Sequence, residues 1–339
     1  MQKITSFILA EASKLKGGEI LVVPQSESAP HYFGKTVPKQ VLIDKEERTV
    51  AGQKVTFEIK AYLPDVLVVE GQMEVENIFS DQAFELREAL IDECHKLIKK
   101  RGGNFDLSEE YSIAIVAGYA GEPEQFFEYG SKIASFLKSE RLPLDEQEVE
   151  HTLSSQIKYA NNDLVIVDWD GAFIFDPDGE YESISELLQI ANLQLLRYRI
   201  LDHDLDERLK KVAKMVRLHS GKTTIFKNKE LEQSFKEVIN LRTSSIAEFE
   251  ALDREIKLIG EWYPARLYDL AARKMKFDGW KSSIKEKLDS LEDIYSIIAE
   301  NFSMSRTHFL EFIQILIFFV LQVGWFVLII LEFIFYTRY

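Results

Sequence analysis

The sequence predicts an α+β protein in which an N-terminal mixed-sheet α/β sandwich precedes long helices, a coiled-coil-like stalk and one C-terminal transmembrane helix. Strand-like and helix-like segments alternate through residues 1–180, which is typical of a sheet with packed helices. Apolar residues recur at three- and four-residue steps through residues 181–311, as they do in helices. Residues 312–335 then form an apolar segment, and residues 336–339 form a short tail.

The predicted sandwich contains two strands on either side of Pro64, with the sequences VTFEIKAY and DVLVVEGQMEV. Residues 79–100 show helical periodicity, and residues 111–119 are rich in the β-branched and aromatic residues that favour strands. A second helix is predicted over residues 124–139.

Two local signals mark the end of this unit. Asp145 precedes a helical segment and Glu148 stands at its third position, which is the spacing of a capping box. Further on, the apolar runs VIVDW and AFIFD flank Asp170 and Gly171. This pair predicts a hairpin with a type I′ turn, because that turn needs positive φ at both central residues. The carboxylates of Asp168 and Asp170 are expected to cap the turn.

The region from 181 to 311 is predicted to be nearly all helical, with apolar-periodic runs over residues 184–218, 231–259 and 284–302. Asp278 and Gly279 are expected to turn the chain before the last run. The narrow apolar stripe of that run fits a coiled-coil seam between copies of the chain, and ordinary packing against the first unit explains it equally well. The predicted oligomer interface comprises Leu288, Leu291, Ile298, Phe302, Glu311, Gln314 and Gln322.

The most distinctive segment is FIQILIFFVLQVGWFVLIIL, residues 312–331, which carries no charge. As a helix it would span about 30 Å, the thickness of the hydrocarbon core of a bilayer. Glu311 and Glu332 bracket it at the two interfaces. A buried core helix is the alternative, but such helices rarely run this far without a charge. The N-terminal residues lack the features of a secretory signal, so we expect a single-pass protein with a cytoplasmic body.

Composition narrows the class of protein further. The chain has 41 basic and 56 acidic residues and a net charge of −15, which argues against nucleic-acid binding by the body as a whole. Its single cysteine, Cys94, excludes an internal disulfide framework and fits a reducing compartment. Because Cys94 falls in an apolar-periodic run, we expect a packed helix residue rather than a nucleophile.

One segment reverses the overall charge, since positions 208 to 229 contain eight basic residues and no acidic residue. Such a run suits the phosphates of RNA or of lipid headgroups. The alternative is a face that pairs with the acidic remainder of the chain, within one molecule or in an oligomer. The basic residues are Arg208, Lys210, Lys211, Lys214, Arg217, Lys222, Lys227 and Lys229.

No motif in the sequence predicts a reaction. Residues 221–223 resemble the end of a phosphate loop, but Val216 stands where the earlier glycine belongs. Residues 176–180 resemble the start of a calcium loop, but Tyr181 replaces its glycine. We therefore predict no catalytic, cofactor-binding or metal-binding residue.

Three patterns resemble the required-for-meiotic-nuclear-division family (domain of unknown function 155). They are a helix led by Pro-Leu-Asp-Glu before LVIVDWDGAFIF, the run LLQIANLQLLRYRILDHDLDERL, and an apolar C-terminal helix with acidic residues at both ends. The resemblance covers residues 55–335. It implies a membrane-associated protein, whose eukaryotic relatives support translation in mitochondria, and it implies no catalytic residue. Since the N-terminus is not an Arg-rich transit peptide, we expect a bacterial member in the inner membrane.

Taken together, these features predict a membrane-anchored, non-enzymatic scaffold or adaptor that acts through protein-protein contacts and self-association. Its expected partners are the lipid bilayer, further copies of the chain and other proteins, with nucleic acid less favoured. A CorA-type ion transporter is one alternative, although it needs two membrane helices and a Gly-Met-Asn motif that the sequence lacks. A membrane-tethered enzyme is the other, and a pocket with convergent polar groups would favour it.

Overall fold

A computed structural model of the chain describes residues 1–12, 19–20, 40–219 and 262–336, together with eight positions between 236 and 249. The predicted helical run over residues 231–259 therefore lies mostly outside the described residues. The chain divides into two compact units. The first comprises Met1–Asp204 and Ala247–Lys285, and the second comprises Leu205–Ile246 and Glu286–Tyr339.

Nine strands in the described part of the first unit form one mixed sheet. In chain order they are β1 (Gln2–Ala12), β2 (Glu19–Ile20), β3 (Gln40–Val50), β4 (Gln53–Tyr62), β5 (Val66–Glu74), β6 (Gly103–Val116), β7 (Gln156–Ile157), β8 (Leu164–Val167) and β9 (Gly171–Phe175). Their order across the sheet is β2-β3-β4-β5-β1-β6-β9-β8-β7. Only the pairing of β6 with β9 is parallel among these strands. The predicted α+β class and mixed sheet are confirmed.

Six α-helices whose bounds the structure describes accompany these strands. They are α1 (Asp81–Lys100), α2 (Gly130–Leu137), α3 (Glu146–Leu153), α4 (Glu182–His219), α5 (Trp262–Lys274) and α6 (Phe277–Tyr336). A 3-10 helix over Pro123–Tyr129 leads directly into α2. The single helix predicted over residues 124–139 therefore consists of two consecutive pieces.

Local capping explains where two of these helices begin. The side chain of Ser80 accepts a hydrogen bond from the backbone N–H of Ala83 at the start of α1. Asp145 Oδ1 accepts from the backbone N–H of Gln147 at 3.0 Å and caps α3, as predicted. Glu148 does not complete a capping box, because its carboxylate lies 2.7 Å from Lys138 Nζ instead.

The β8–β9 hairpin is present, but its turn differs from the prediction. Val167 pairs with Ala172, and residues 168–170 connect the two strands. The backbone N–H of Asp168 donates to the carbonyl of Gly171 at 2.9 Å. Gly171 does not have positive φ, which excludes the predicted type I′ turn at Asp170 and Gly171. The glycine lies in β9, where a side chain would collide with β6.

The two faces of the sheet pack against different helices. Ile8, Phe57 and Val69 belong to an apolar core that includes Leu90 and Cys94 of α1. Cys94 is fully buried, and burial raises the pKa of its thiol well above the ordinary value. The predicted packed helix thiol is therefore confirmed. The opposite face is covered by α4 and carries the polar residues described below.

Helix α6 runs without interruption over 60 residues, which corresponds to a length of about 90 Å. The turn before it falls at Lys276, which has φ of 53°, rather than at the predicted Asp278 and Gly279. Lys276 ends a turn after α5, so Asp278 already belongs to the first turn of α6. Within the second unit, Lys287 Nζ of α6 lies 2.8 Å from Asp206 of α4.

Candidate functional site

The C-terminal part of α6 is the one helix in the described chain that is long and apolar enough to cross a membrane. This candidate span covers the 25 residues Leu310–Ile334. It includes an 18-residue stretch with a mean hydropathy of 2.6, none of which is buried. Large side chains such as Trp325 and Phe333 are 72% and 69% exposed. A soluble monomer rarely exposes an apolar patch of this extent, so the surface marks an interaction site.

Two predicted interface residues on α6 prove to be covered within the single chain. Leu291 is fully buried and Leu288 is 9% exposed. Their side chains therefore pack inside their own molecule. The coiled-coil seam stays a prediction for the other interface residues. Ile298 and Phe302 lie on α6, but their side chains fall outside the described residues. Glu311, Gln314 and Gln322 are exposed on the candidate span.

The predicted basic run is only partly described. Lys210 on α4 lies 2.8 Å from Glu207 of the preceding turn, and Arg208 donates to Ser244 Oγ at 3.4 Å. Lys211 and Lys214 are exposed on the same helix. The side chain of Arg217 and the residues Lys222, Lys227 and Lys229 lie outside the described part. Lys210 thus forms an ion pair with an acidic residue of its own chain. Phosphate binding by the basic run stays a prediction.

A buried polar layer between the sheet and α4 was not predicted from the sequence. Lys60 on β4 is 8% exposed, and its Nζ lies 3.0 Å from both Glu58 and Glu70. Burial lowers the pKa of Lys60, but the two carboxylates raise it by a larger amount. The pKa of Lys60 is therefore above its ordinary value. Gln189 on α4 donates to Glu70 and accepts from Gln40 Nε2 at 2.7 Å. Because these groups satisfy one another, the layer holds α4 to the sheet.

A second polar cluster surrounds the β8–β9 hairpin. Asp168 is 6% exposed, and its Oδ1 accepts from the backbone N–H of Trp169 at 2.9 Å, which confirms that it caps the turn. Lys138 Nζ lies 3.3 Å from Asp168 Oδ2, and Lys274 Nζ lies 3.6 Å from Oδ1. The carboxylate thus ties the hairpin to α5 and to the end of α2. Burial raises the pKa of Asp170, against the effect of nearby Arg87.

The described residues show little that a substrate or metal could use. No group of three His, Cys, Asp or Glu side chains among them could hold a metal ion. A shallow groove of about 140 Å³ lies beside β7, below the roughly 300 Å³ at which pockets for small molecules begin. Its lining residues are Gln156, Ile157, Arg266, Asp269, Leu270 and Arg273. One candidate span is present in the described chain, whereas a CorA-type transporter needs two.

The fold and the apolar helix define a class of protein, an α+β domain followed by a candidate membrane-spanning helix. Residues 9–182, more than half of the chain, match the family described as "Uncharacterized protein MJ0711, N-terminal domain". The chain belongs to this family. The matched residues include most of the sheet and end where α4 begins.

A relative from Methanocaldococcus jannaschii, described as "Uncharacterized protein MJ0711", is similar along most of its length. It is 28% identical over 260 residues, which cover 76% of this chain and 76% of the relative. No solved structure matches the chain.

The predicted membership of the required-for-meiotic-nuclear-division family is wrong, because the family match over residues 9–182 assigns the chain elsewhere. The expected bacterial membership falls with it, and the similar protein comes from an archaeon. The patterns behind that prediction describe an order of parts, with a strand pair before a long helix and acidic ends on an apolar helix. Unrelated families can share such an order, so it is weak evidence of descent.

Proposed function

We propose that this protein is a membrane-anchored, non-enzymatic scaffold or adaptor whose α+β body binds other proteins on the cytoplasmic side of the cell membrane. The observation that carries the proposal is the exposed apolar surface of Leu310–Ile334. Covering apolar surface contributes about 25 cal/mol per Å², and a bilayer covers a helix on all sides. A helix of 25 residues is about 37 Å long, enough to cross the hydrocarbon core.

One feature supports a cytoplasmic body. Cys94 is a free, buried thiol, which fits a reducing compartment. The adaptor role is supported by the polar layer and the Asp168 cluster, whose groups bind one another rather than converge on a pocket.

Alkaline carbonate extraction tests the anchor. The full chain should stay in the membrane pellet, whereas a chain truncated after Met304 should appear in the soluble fraction. Truncation after Tyr336 is the matched control, since it shortens the chain but keeps the whole candidate span. Release of the full chain by carbonate would show that the helix does not span the membrane.

Cysteine labelling tests the orientation. Lys96 has a side chain that is 69% exposed, so Lys96→Cys offers an accessible thiol on the body, while buried Cys94 serves as an unreactive background. A membrane-impermeant maleimide should label Lys96→Cys only after the cells are permeabilised, and should label Thr337→Cys in intact cells. The reverse pattern would place the body outside.

The adaptor role is tested by purifying the tagged full chain from detergent-solubilised membranes and identifying the co-eluting proteins by mass spectrometry. The chain truncated after Met304 is the control for contacts that need the anchor. A stoichiometric partner supports the proposal, whereas substrate turnover by the purified full chain would contradict it.

A further inference from the structure

The polar side chains of the candidate span lie along one side of the helix. Its charged and amide residues are Glu311, Gln314, Gln322 and Glu332. At about 100° per residue these four positions fall within an arc of about 80°. The remaining circumference is apolar. We call this arc the polar stripe.

Gln322 occupies the most demanding position on the polar stripe. It lies twelve residues from Leu310 and twelve from Ile334, and is thus about 18 Å from either end of the span. Its side chain is exposed, as is that of Gln314. In the middle of the hydrocarbon no water is available, so an amide there needs a hydrogen-bond partner. Among the described residues there is one candidate span, so none of them supplies a second membrane helix from the same chain.

We propose that the polar stripe is the surface through which this helix pairs with the same helix of a second copy, with the two Gln322 carboxamides bonded to each other. This inference rests on the proposed membrane insertion. A carboxamide both donates and accepts, so it is complementary to itself. Copies inserted in the same orientation hold the same residue at the same depth, and a two-fold axis then brings the two amides together.

The spacing of apolar residues on the same side fits such a pair. Starting at Glu311, steps of four and three residues lead along one seam to Glu332. Such alternating steps are the pattern by which two helices interlock their side chains. The seam residues between the two glutamates are Ile315, Phe318, Gln322, Trp325 and Ile329. The glutamates lie at the ends of the span, where water solvates their charges.

The burial of two leucines on α6 contrasts with the exposure of the seam in the candidate span. Leu288 and Leu291 are covered within their own chain and offer no surface to a second copy. The seam from Glu311 to Glu332, in contrast, is exposed along its whole length. The exposed seam lies within the candidate span, the part of α6 that a bilayer would surround.

Oxidative cross-linking of the full chain in native membranes tests the pairing. Gln322→Cys and Ile329→Cys lie on the polar stripe, whereas Val320→Cys and Val327→Cys lie about 160° to 180° away from Glu311 and are matched controls. The parent chain, whose only thiol is buried Cys94, should give no cross-link. We expect disulfide-linked dimers at the stripe positions and at least several-fold less at the control positions. Equal yields on both sides, no dimers, or cross-links to a different protein would overturn the proposal.

A second comparison tests the amide itself. In the Ile329→Cys background, Gln322→Leu should lower the dimer yield roughly threefold, because an amide bond between membrane helices is modest in strength. Val320→Leu should leave the yield unchanged. An unchanged yield in Gln322→Leu would overturn the amide pairing. Carbonate extraction of each variant separates the proposed membrane insertion from the proposed pairing. Loss of the protein from the membrane pellet would refute insertion. Retention in the pellet without dimers specific to the polar stripe would refute only the pairing.

Discussion

Gly171 lies opposite Ser112 where β9 pairs in parallel with β6, and a Cβ atom at Gly171 would stand 2.7 Å from the carbonyl oxygen of Ser112. That oxygen belongs to the backbone of an inner strand and cannot swing aside as a flexible side chain does. The glycine is therefore required by the close approach of two strands, and not by a left-handed turn.

The substitution Gly171→Ala should destabilise the protein by about 2 kcal/mol, because the added methyl group forces β9 away from β6. Gly279→Ala is the matched control, since the residue is in α6 and no atom beyond its chain neighbours and the backbone of its own helix lies within 4 Å of the added Cβ. Alanine there should stabilise by about 0.5–1 kcal/mol through its higher helix propensity. Thermal unfolding of the full chain in mild detergent measures both changes, and equal effects would contradict the prediction.

The polar layer predicts a large cost for removing its cation. Lys60→Met leaves the carboxylates of Glu58 and Glu70 without their shared partner, and should destabilise by about 3 kcal/mol. Lys45 also pairs with Glu58, at 2.7 Å, but its side chain is 53% exposed. Lys45→Met should therefore cost less than about 1 kcal/mol. Urea unfolding compares the two variants, and a similar cost for both would show that the layer adds little.

Glu46 predicts a specific acid sensitivity. Hydrogen bonds from Lys100 and Arg101, with Arg48 adding to them, hold the pKa of Glu46 at about 2. Because this pKa lies below that of the unfolded chain, about 4.3, the contribution to stability is complete above that value and disappears as the pH falls toward 2. Glu46→Gln should thus lower the melting temperature at pH 7, and the difference from the parent should vanish near pH 2. If the difference in melting temperature between Glu46→Gln and the parent did not change with pH, the ionised Glu46 carboxylate would not be its cause.

The basic run predicts salt-dependent binding to phosphate-bearing surfaces. Reversing the charges of Lys210, Lys211 and Lys214 to Glu should weaken binding of the body, truncated after Met304, to anionic liposomes. The effect should shrink at high salt, because phosphate contacts release counterions. Reversal of three exposed lysines elsewhere gives the same change in net charge and serves as control; they are Lys54, Lys96 and Lys132. Equal effects of the two triple variants, or no binding by the parent, would favour the ion-paired face.

The polar layer shows how far the sequence could have predicted the interior. Glu58 and Lys60 alternate on β4, and Glu70 and Gln72 alternate on β5, so a polar row on one side of adjacent strands is visible in the sequence. Such alternation ordinarily indicates a face in contact with water. Only the position of α4 shows that this face is covered, because helix packing depends on residues more than a hundred positions away.

By itself, the sequence determined the features that depend on neighbours along the chain. These are the periodicity of α1, the cap at Asp145, the strands on either side of Pro64 and the long apolar helix. The tertiary structure alone decided the central position of β1, a segment with no strand predicted from the sequence, and the burial of Leu291 within its own chain. Local periodicity reports which side of an element is apolar, whereas strand order and packing are set by contacts between segments distant in sequence. The polar stripe combines both, since its residues are read from the sequence and its exposure from the structure.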